Sequence, residues 1–157
     1  MPNISLSAVR PGDYEYVIER VDDWWGGRPM KAMIPRLFFE HFPSTTVVAS
    51  LAGRGGGGAP GGFLCGFQSE ADPACAYIHF VGVDPGLRGT GVGRLLYEWF
   101  FARARALGCQ RVECVTSPIN TSSAAFHRAL GFDAEFVADY DGPGESRLKL
   151  TRTLAHT

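Results

Sequence analysis

The chain has 157 residues, of which 45% are hydrophobic and 20% charged, with a formal net charge of −1. This is the composition of one globular domain of ordinary size, and its near-neutral charge leaves no footprint for nucleic acid or an anionic membrane. No apolar run approaches the roughly 18 residues of a membrane span, and the opening Met1-Pro2-Asn3-Ile4-Ser5 lacks the charged and apolar regions of a secretory signal. The four cysteines, at 65, 75, 109 and 114, show neither C-x-x-C spacing nor a metal pattern. Cys65, Cys109 and Cys114 border or lie in apolar segments and are expected as reduced, mostly buried thiols in a cytoplasmic, metal-free protein.

In chain order, residues 4–9 alternate as a first strand. Pro11-Gly12-Asp13 opens a helix with Tyr14, Val17, Ile18 and Val21 at i, i+3, i+4 and i+7. The run Asp22-Asp23-Trp24-Trp25-Gly26-Gly27-Arg28-Pro29 breaks it. A second helix is predicted from about 30 to 41, kinked or divided by Pro35, with Phe38, Phe39 and Phe42 in the core. Residues 45–51 read as a strand. Positions 53–62 hold seven glycines; no helix follows them, so they read as a long hairpin loop rather than a phosphate loop. Strands are predicted at 62–68 and 76–83, the latter buried and central. A long helix at 91–107 places Val92, Leu95, Leu96, Trp99 and Phe100 on one face and ends at Gly108. A strand at 110–116, a short helix near 121–130 and strands at about 134–140 and 147–154 complete the order β-α-α-β-β-β-α-β-α-β-β. His41 and His156 have no partner in view and read as solvated.

The most informative stretch follows the central strand. An Asp84-Pro85-Gly86 turn leads into Leu87-Arg88-Gly89-Thr90-Gly91-Val92-Gly93-Arg94, and a helical pattern begins at once. Strand, glycine loop and helix start together present backbone N–H groups, with the positive end of a helix dipole behind them, to an anion. Glycines let that anion approach the backbone, and Arg88 and Arg94 add charge. A Walker loop would need Gly-Lys-Ser/Thr, but Arg94-Leu95 follows Gly93; a dinucleotide fingerprint would need glycine at 94. The spacing that fits is Arg-x-x-Gly-x-Gly, from Arg88 through Gly91 to Gly93.

This loop resembles the acetyl-CoA loop of the GNAT acetyltransferase superfamily, where successive amides bind the cofactor pyrophosphate. A second segment, from Asn120 through Phe126-His127-Arg128-Ala129 to Leu130-Gly131-Phe132, resembles the family's other signature: an asparagine, a short helix and Leu-Gly-Phe leading into a strand. Local physics agrees. Asn120 or Thr121 can cap the helix, Phe126 and Leu130 share a face, and Gly131 stands where a left-handed residue is wanted. The resemblance covers residues 76–132 by motif and the rest by element order. It implies a single GNAT domain over 1–157, with a mixed α/β sheet whose middle strands splay to admit acetyl-CoA. By resemblance, the cofactor would be held by Val81, Gly82 and Val83 on the central strand, by the loop Arg88, Gly89, Thr90, Gly91, Val92, Gly93 and Arg94, and by Asn120 and His127.

Acetyl transfer to an amine makes three demands. The amine must be neutral, although a free alkylamine has a pKa of about 10. The carbonyl oxygen needs a hydrogen-bond donor, and one N–H among residues 81–83 is a candidate. The leaving thiolate, with a pKa of about 8.5 if it resembles cysteine, benefits from a proton donor. Many family members carry tyrosine where this chain has His127, which is the first choice as acid or else packs beside the cofactor. His79 on the central strand is the candidate base, with a hydrogen-bonded core role as its alternative; Glu113 and a water relay are rivals. For the acceptor, Asp23, Trp24, Trp25 and Arg28 form the candidate pocket. Aromatic and acidic groups would favour a cationic amine, Arg28 would read a carboxylate or phosphate, and a plain structural role competes with both. The resulting expectation is an N-acetyltransferase for a primary amine on a small molecule. The alternatives are a protein lysine or N-terminal acetyltransferase, and a non-catalytic acyl-CoA-binding module. A homodimer is expected from fold analogy alone.

Overall fold

The computed structural model describes residues 3–51 and 58–155; positions 53–57 of the glycine-rich loop and His156 lie outside the described residues. Strand β1 (Ile4–Ala8) leads through Gly12 into helix α1 (Asp13–Trp24). Gly12 has φ 87°, a left-handed conformation that glycine adopts without strain. The Asp13 carboxylate accepts from the Arg10 backbone N–H at 2.8 Å, placing a negative charge at the helix start. Helix α1 continues through both aspartates to Trp24 and ends where Gly26 and Gly27 take positive φ. Pro35 divides the predicted second helix, because proline has no N–H to give and its ring crowds the preceding turn. A 3-10 turn (Lys31–Met33) precedes it and α2 (Leu37–His41) follows.

The remaining elements are β2 (Thr46–Leu51), β3 (Pro60–Gln68), β4 (Cys75–Val83), α3 (Val92–Ala106), β5 (Arg111–Thr116), α4 (Thr121–Ala129), β6 (Asp133–Val137) and β7 (Arg147–Thr153). The sheet is seven-stranded and mixed, in the order β1-β2-β3-β4-β5-β7-β6. β1–β2, β2–β3, β5–β7 and β6–β7 are antiparallel, whereas β4 and β5 are parallel over Cys75–Tyr77. The predicted element order therefore holds, with two 3-10 turns added. The chain divides into two compact units: Met1–Phe67 with Ile78–Phe100, and Gln68–Tyr77 with Phe101–Thr157.

The core of the first unit is aromatic. Val17, Val21 and Trp24 of α1 pack with Ile34, Phe38, Phe39, Val48, Phe63 and Cys65, and Tyr14 and Ile18 close over them as their spacing predicts. Phe63 is fully buried and lies 5.9 Å from Phe80 with the rings nearly parallel, at 11°. Its ring fills the space that a side chain at Gly82 would need: a Cβ there would stand 2.5 Å from Cε1.

In the second unit, Phe101 packs on Phe132 at 5.8 Å, and the Arg152 guanidinium lies 4.4 Å above the Phe101 ring. Arg152 also donates from Nε to the Leu130 carbonyl at 2.8 Å, closing the end of α4. All four cysteines are buried free thiols, Cys75 included. Burial pushes Cys65 and Cys114 up to about 12, and Cys75 likewise with help from the Glu113 charge. Two predicted faces turn. Leu95 is exposed while Tyr97 is buried, because the stripe from Val92 through Leu96 and Phe100 runs toward Phe101 and Ala104. Phe126 is also exposed; α4 buries Ala124 and His127 instead.

Gly82→Ala should lower unfolding stability by about 1–3 kcal/mol, the usual cost of overpacking a filled core. A urea titration reads this directly, and an unchanged midpoint would mean that Phe63 yields at no cost.

Candidate active site

The glycine loop belongs to the first unit and is shaped by its own hydrogen bonds. Asp84 N–H donates to the Gly61 carbonyl at 2.8 Å, and the Asp84 carboxylate accepts from Gly86 N–H at 2.9 Å. Leu87 N–H returns to the Asp84 carbonyl at 2.8 Å, closing the 3-10 turn Pro85–Leu87. The Leu87 side chain is buried against Gly61, in the space a Cβ would take. Thr90 donates both its N–H and its hydroxyl to the Leu87 carbonyl. Arg88 donates from Nη2 to the Trp24 carbonyl at 2.9 Å, tying the loop to the end of α1. Gly89 and Gly91 have φ 80° and 87°, and nothing lies within 4 Å of where a Cβ would be.

Beyond Gly91, α3 begins with Val92, Gly93 and Arg94, whose N–H groups are in the first turn and have no acceptor within the helix. Arg94 is exposed and 3.6 Å from Glu98. Open glycines, first-turn amides, the helix dipole and an adjacent arginine fit a diphosphate. Just upstream, the parallel ladder of β4 with β5 covers Cys75–Tyr77, so Val81, Gly82 and Val83 lie past its end.

The acceptor candidates divide. Trp24 is buried in the core, 6.5 Å from Phe63, and is not a pocket wall. It falls on the stripe of Val17 and Val21, which fixes its direction. Trp25 is half-buried against Phe80 at 5.2 Å. Asp23 and Arg28 are exposed. Asp22 is structural: its carboxylate accepts from Met30 N–H at 2.7 Å and Lys31 N–H at 3.2 Å.

His79 is engaged as well. Its Nε2 is 2.7 Å from the Met33 carbonyl, which can only accept, so Nε2 carries the proton. The ring stacks on Phe38 at 4.5 Å and 14°. This matches the hydrogen-bonded alternative for His79. Tyr14, which sequence reasoning passed over as a core position, donates its hydroxyl to the Ile34 carbonyl at 2.8 Å.

In the second unit, Asn120 is an exposed N-cap whose side-chain oxygen accepts from Ser123 N–H at 3.1 Å. His127 is buried one turn further on, with Nδ1 2.7 Å from the Ser123 carbonyl, so Nδ1–H donates there. Its ring meets Phe132 edge-on at 5.2 Å. Burial lowers its pKa, and the bond to Ser123 only partly opposes this. His127 is therefore a neutral imidazole at pH 7. This sets it against the acid role, which needs the imidazolium. Glu113 is no better as a base. Burial would raise its pKa, but hydrogen bonds from Arg111 at 2.6 Å and from Cys75, with Lys149 at 3.4 Å, hold it below the ordinary range. Among the described residues, no helix is long and apolar enough to cross a membrane, and no group of three His, Cys, Asp or Glu is placed to hold a metal.

A mixed seven-stranded sheet with a glycine loop leading into the helix that follows its fourth strand defines a mixed α/β protein. The acetyltransferase (GNAT) family matches residues 14–132, and the chain belongs to that family. It is 33% identical to the L-2,4-diaminobutyric acid acetyltransferase of Nocardia farcinica over 94 residues, 60% of this chain and 46% of that protein. To a mycothiol acetyltransferase of Thermobispora bispora it is 38% identical over 66 residues, 41% of this chain and 22% of that one. The chain thus spans less than half the length of these relatives. Ard1 from Thermoplasma volcanium shares the fold with a TM-score of 0.78 at 22% identity, covering 98% of this chain and 99% of that one. The ribosomal-protein-S18-alanine N-acetyltransferase of Escherichia coli does so with a TM-score of 0.71 at 14% identity, covering 99% and 96%.

Because His127 is held below its ordinary pKa, the unfolded chain takes up its proton at about pH 6.5 while the folded chain resists. The stability gained by burying the neutral ring is complete above that pH and is lost as pH falls from there toward the folded pKa. Denaturant titrations from pH 7 to pH 5 should show wild type weakening more steeply than His127→Phe. Parallel curves would contradict the buried neutral ring.

Proposed function

We propose that this chain transfers an acetyl group from acetyl-CoA to a primary amine on a small molecule. The observation that carries the reading is the preformed loop, with Gly89 and Gly91 open and left-handed and the first-turn amides of α3 behind them. Acetyl-CoA, when bound, supplies an acyl group already activated as a thioester. The amides of Gly91, Val92 and Gly93 would hold its diphosphate, with Arg88 and Arg94 nearby in charge. Backbone groups of Val81, Gly82 and Val83 would hold the arm that carries the thioester, and one of those N–H groups would polarise its carbonyl. Asn120 would serve by starting α4 in place.

The acceptor must lose a proton before it attacks. Glu113 is ion-paired and His79 is anchored through Nε2–H to Met33, so we assign deprotonation to water, with the remaining lone pair on His79 Nδ1 as the rival base. Neutral His127 donates its Nδ1–H in a hydrogen bond to the Ser123 carbonyl, so we assign protonation of the leaving group to solvent as well. Trp25, Asp23 and Arg28 remain as acceptor contacts, Trp24 having gone to the core. Two relatives named for small-molecule substrates support a small amine. A peptide or protein acceptor is the second reading, favoured by the fold shared with an alanine N-acetyltransferase of a ribosomal protein.

Thiol release from acetyl-CoA should be followed across amino acids, polyamines, aminoglycosides, aromatic amines and short peptides. Release that depends on a small amine is the expected result; release with peptides alone would move the assignment to the second reading. Silence with every amine, although acetyl-CoA binds, would replace the enzyme by a binding module. A positioned general acid is worth about 10²–10⁴-fold in rate, so His127→Phe should keep turnover within about tenfold of wild type. A loss beyond about a hundredfold with acetyl-CoA affinity intact would restore the acid role to His127.

A further inference from the structure

The segment between α1 and α2 is held by three side chains of the first unit, each reaching its backbone. The Asp22 carboxylate takes the N–H groups of Met30 and Lys31 at 2.7 and 3.2 Å. The Tyr14 hydroxyl donates to the Ile34 carbonyl at 2.8 Å. His79 Nε2–H donates to the Met33 carbonyl at 2.7 Å, and its ring lies flat on Phe38 of α2, 4.5 Å away.

Two of these tethers start on α1, the helix that leads into the segment. His79 differs: it stands on β4, two residues before Val81. Ile34 is buried in the core and Met30 packs against it, while Lys31 and Met33 stay exposed, Met33 at 48%. A backbone path anchored by these ties and by Ile34, with exposed side chains on it, is suited to presenting a selective wall to a ligand.

We propose that His79 is a positioning residue for the acceptor: it fastens the strap 30–34 to the strand proposed to carry the thioester, and so sets the acceptor wall without itself moving a proton. This rests on the acetyltransferase reading. Losing one hydrogen bond and the ring stack from the strap should raise the acceptor KM about tenfold in His79→Ala. The acetyl-CoA KM should stay within about twofold, since that cofactor is held elsewhere. His79→Gln places an amide N–H close to where Nε2–H stood and should recover most of the acceptor KM, though glutamine cannot act as a base.

Two measurements separate the failures. Steady-state kinetics of wild type, His79→Ala and His79→Gln would use the best amine of the panel. Hydrogen exchange of the amides at 31–34 needs no turnover and should speed up in His79→Ala but not in His79→Gln. A fall in kcat in both variants, with acceptor KM unchanged, would overturn the proposal in favour of a base. Unchanged exchange in His79→Ala would overturn the tether whether or not an acceptor is found. Faster exchange with unchanged acceptor KM would overturn the acceptor role and leave the transferase reading standing. A wild type that transfers to no amine would overturn that reading, and this one with it.

Discussion

The loop between β4 and α3 is held in shape by hydrogen bonds from its own residues, and the functional reading depends on that. Asp84 is bonded to Gly61 and caps Gly86, Leu87 is buried, and Thr90 closes back on Leu87. These bonds leave Gly89 and Gly91 with open space above their Cα atoms. If the loop binds a diphosphate as proposed, these bonds limit the conformational entropy lost on binding. Arg88 is part of the same economy, spending one N–H on the Trp24 carbonyl and so joining the loop to α1.

Strand β4 supplies the second constraint. Its residues alternate in role as well as in direction. Phe80 and Gly82 serve the aromatic core, Phe80 by stacking on Phe63 and Gly82 by leaving that ring room. His79 stacks on Phe38 of that same core and also reaches the strap at Met33. A change at Gly82 should therefore act on packing alone, and one at His79 on the strap as well.

Much of this was legible in the residues. The glycine loop, the Asn120 cap and the left-handed Gly131 are dictated locally, by backbone freedom and by hydrogen bonds spanning a few positions. The order of elements followed from periodicity and turn residues. What could not be read depends on partners distant in the chain. Trp24 and Trp25 are neighbours of the same type, and only the packing of α1 on Phe63 sends one inward. The partners of the two histidines are backbone carbonyls, which no residue letter reveals. His127 finds its carbonyl four residues back on its own helix, whereas His79 finds one 46 positions away. Leu95 and Phe126 are exposed for a related reason: a helical stripe is about 100° wide, and its flanks are decided by what lies opposite.

The central claim is that the loop 88–94 holds the diphosphate of acetyl-CoA. Calorimetric titration of acetyl-CoA into wild type and into Gly91→Val measures it most directly, with thermal unfolding of both proteins run alongside to show that each is folded. Valine at a φ of 87° is strained and places a side chain in the open cradle. The account expects saturable one-to-one binding by wild type and at least about a tenfold loss of affinity in the folded variant. Equal affinity in the two folded proteins, or no binding by wild type, would contradict it.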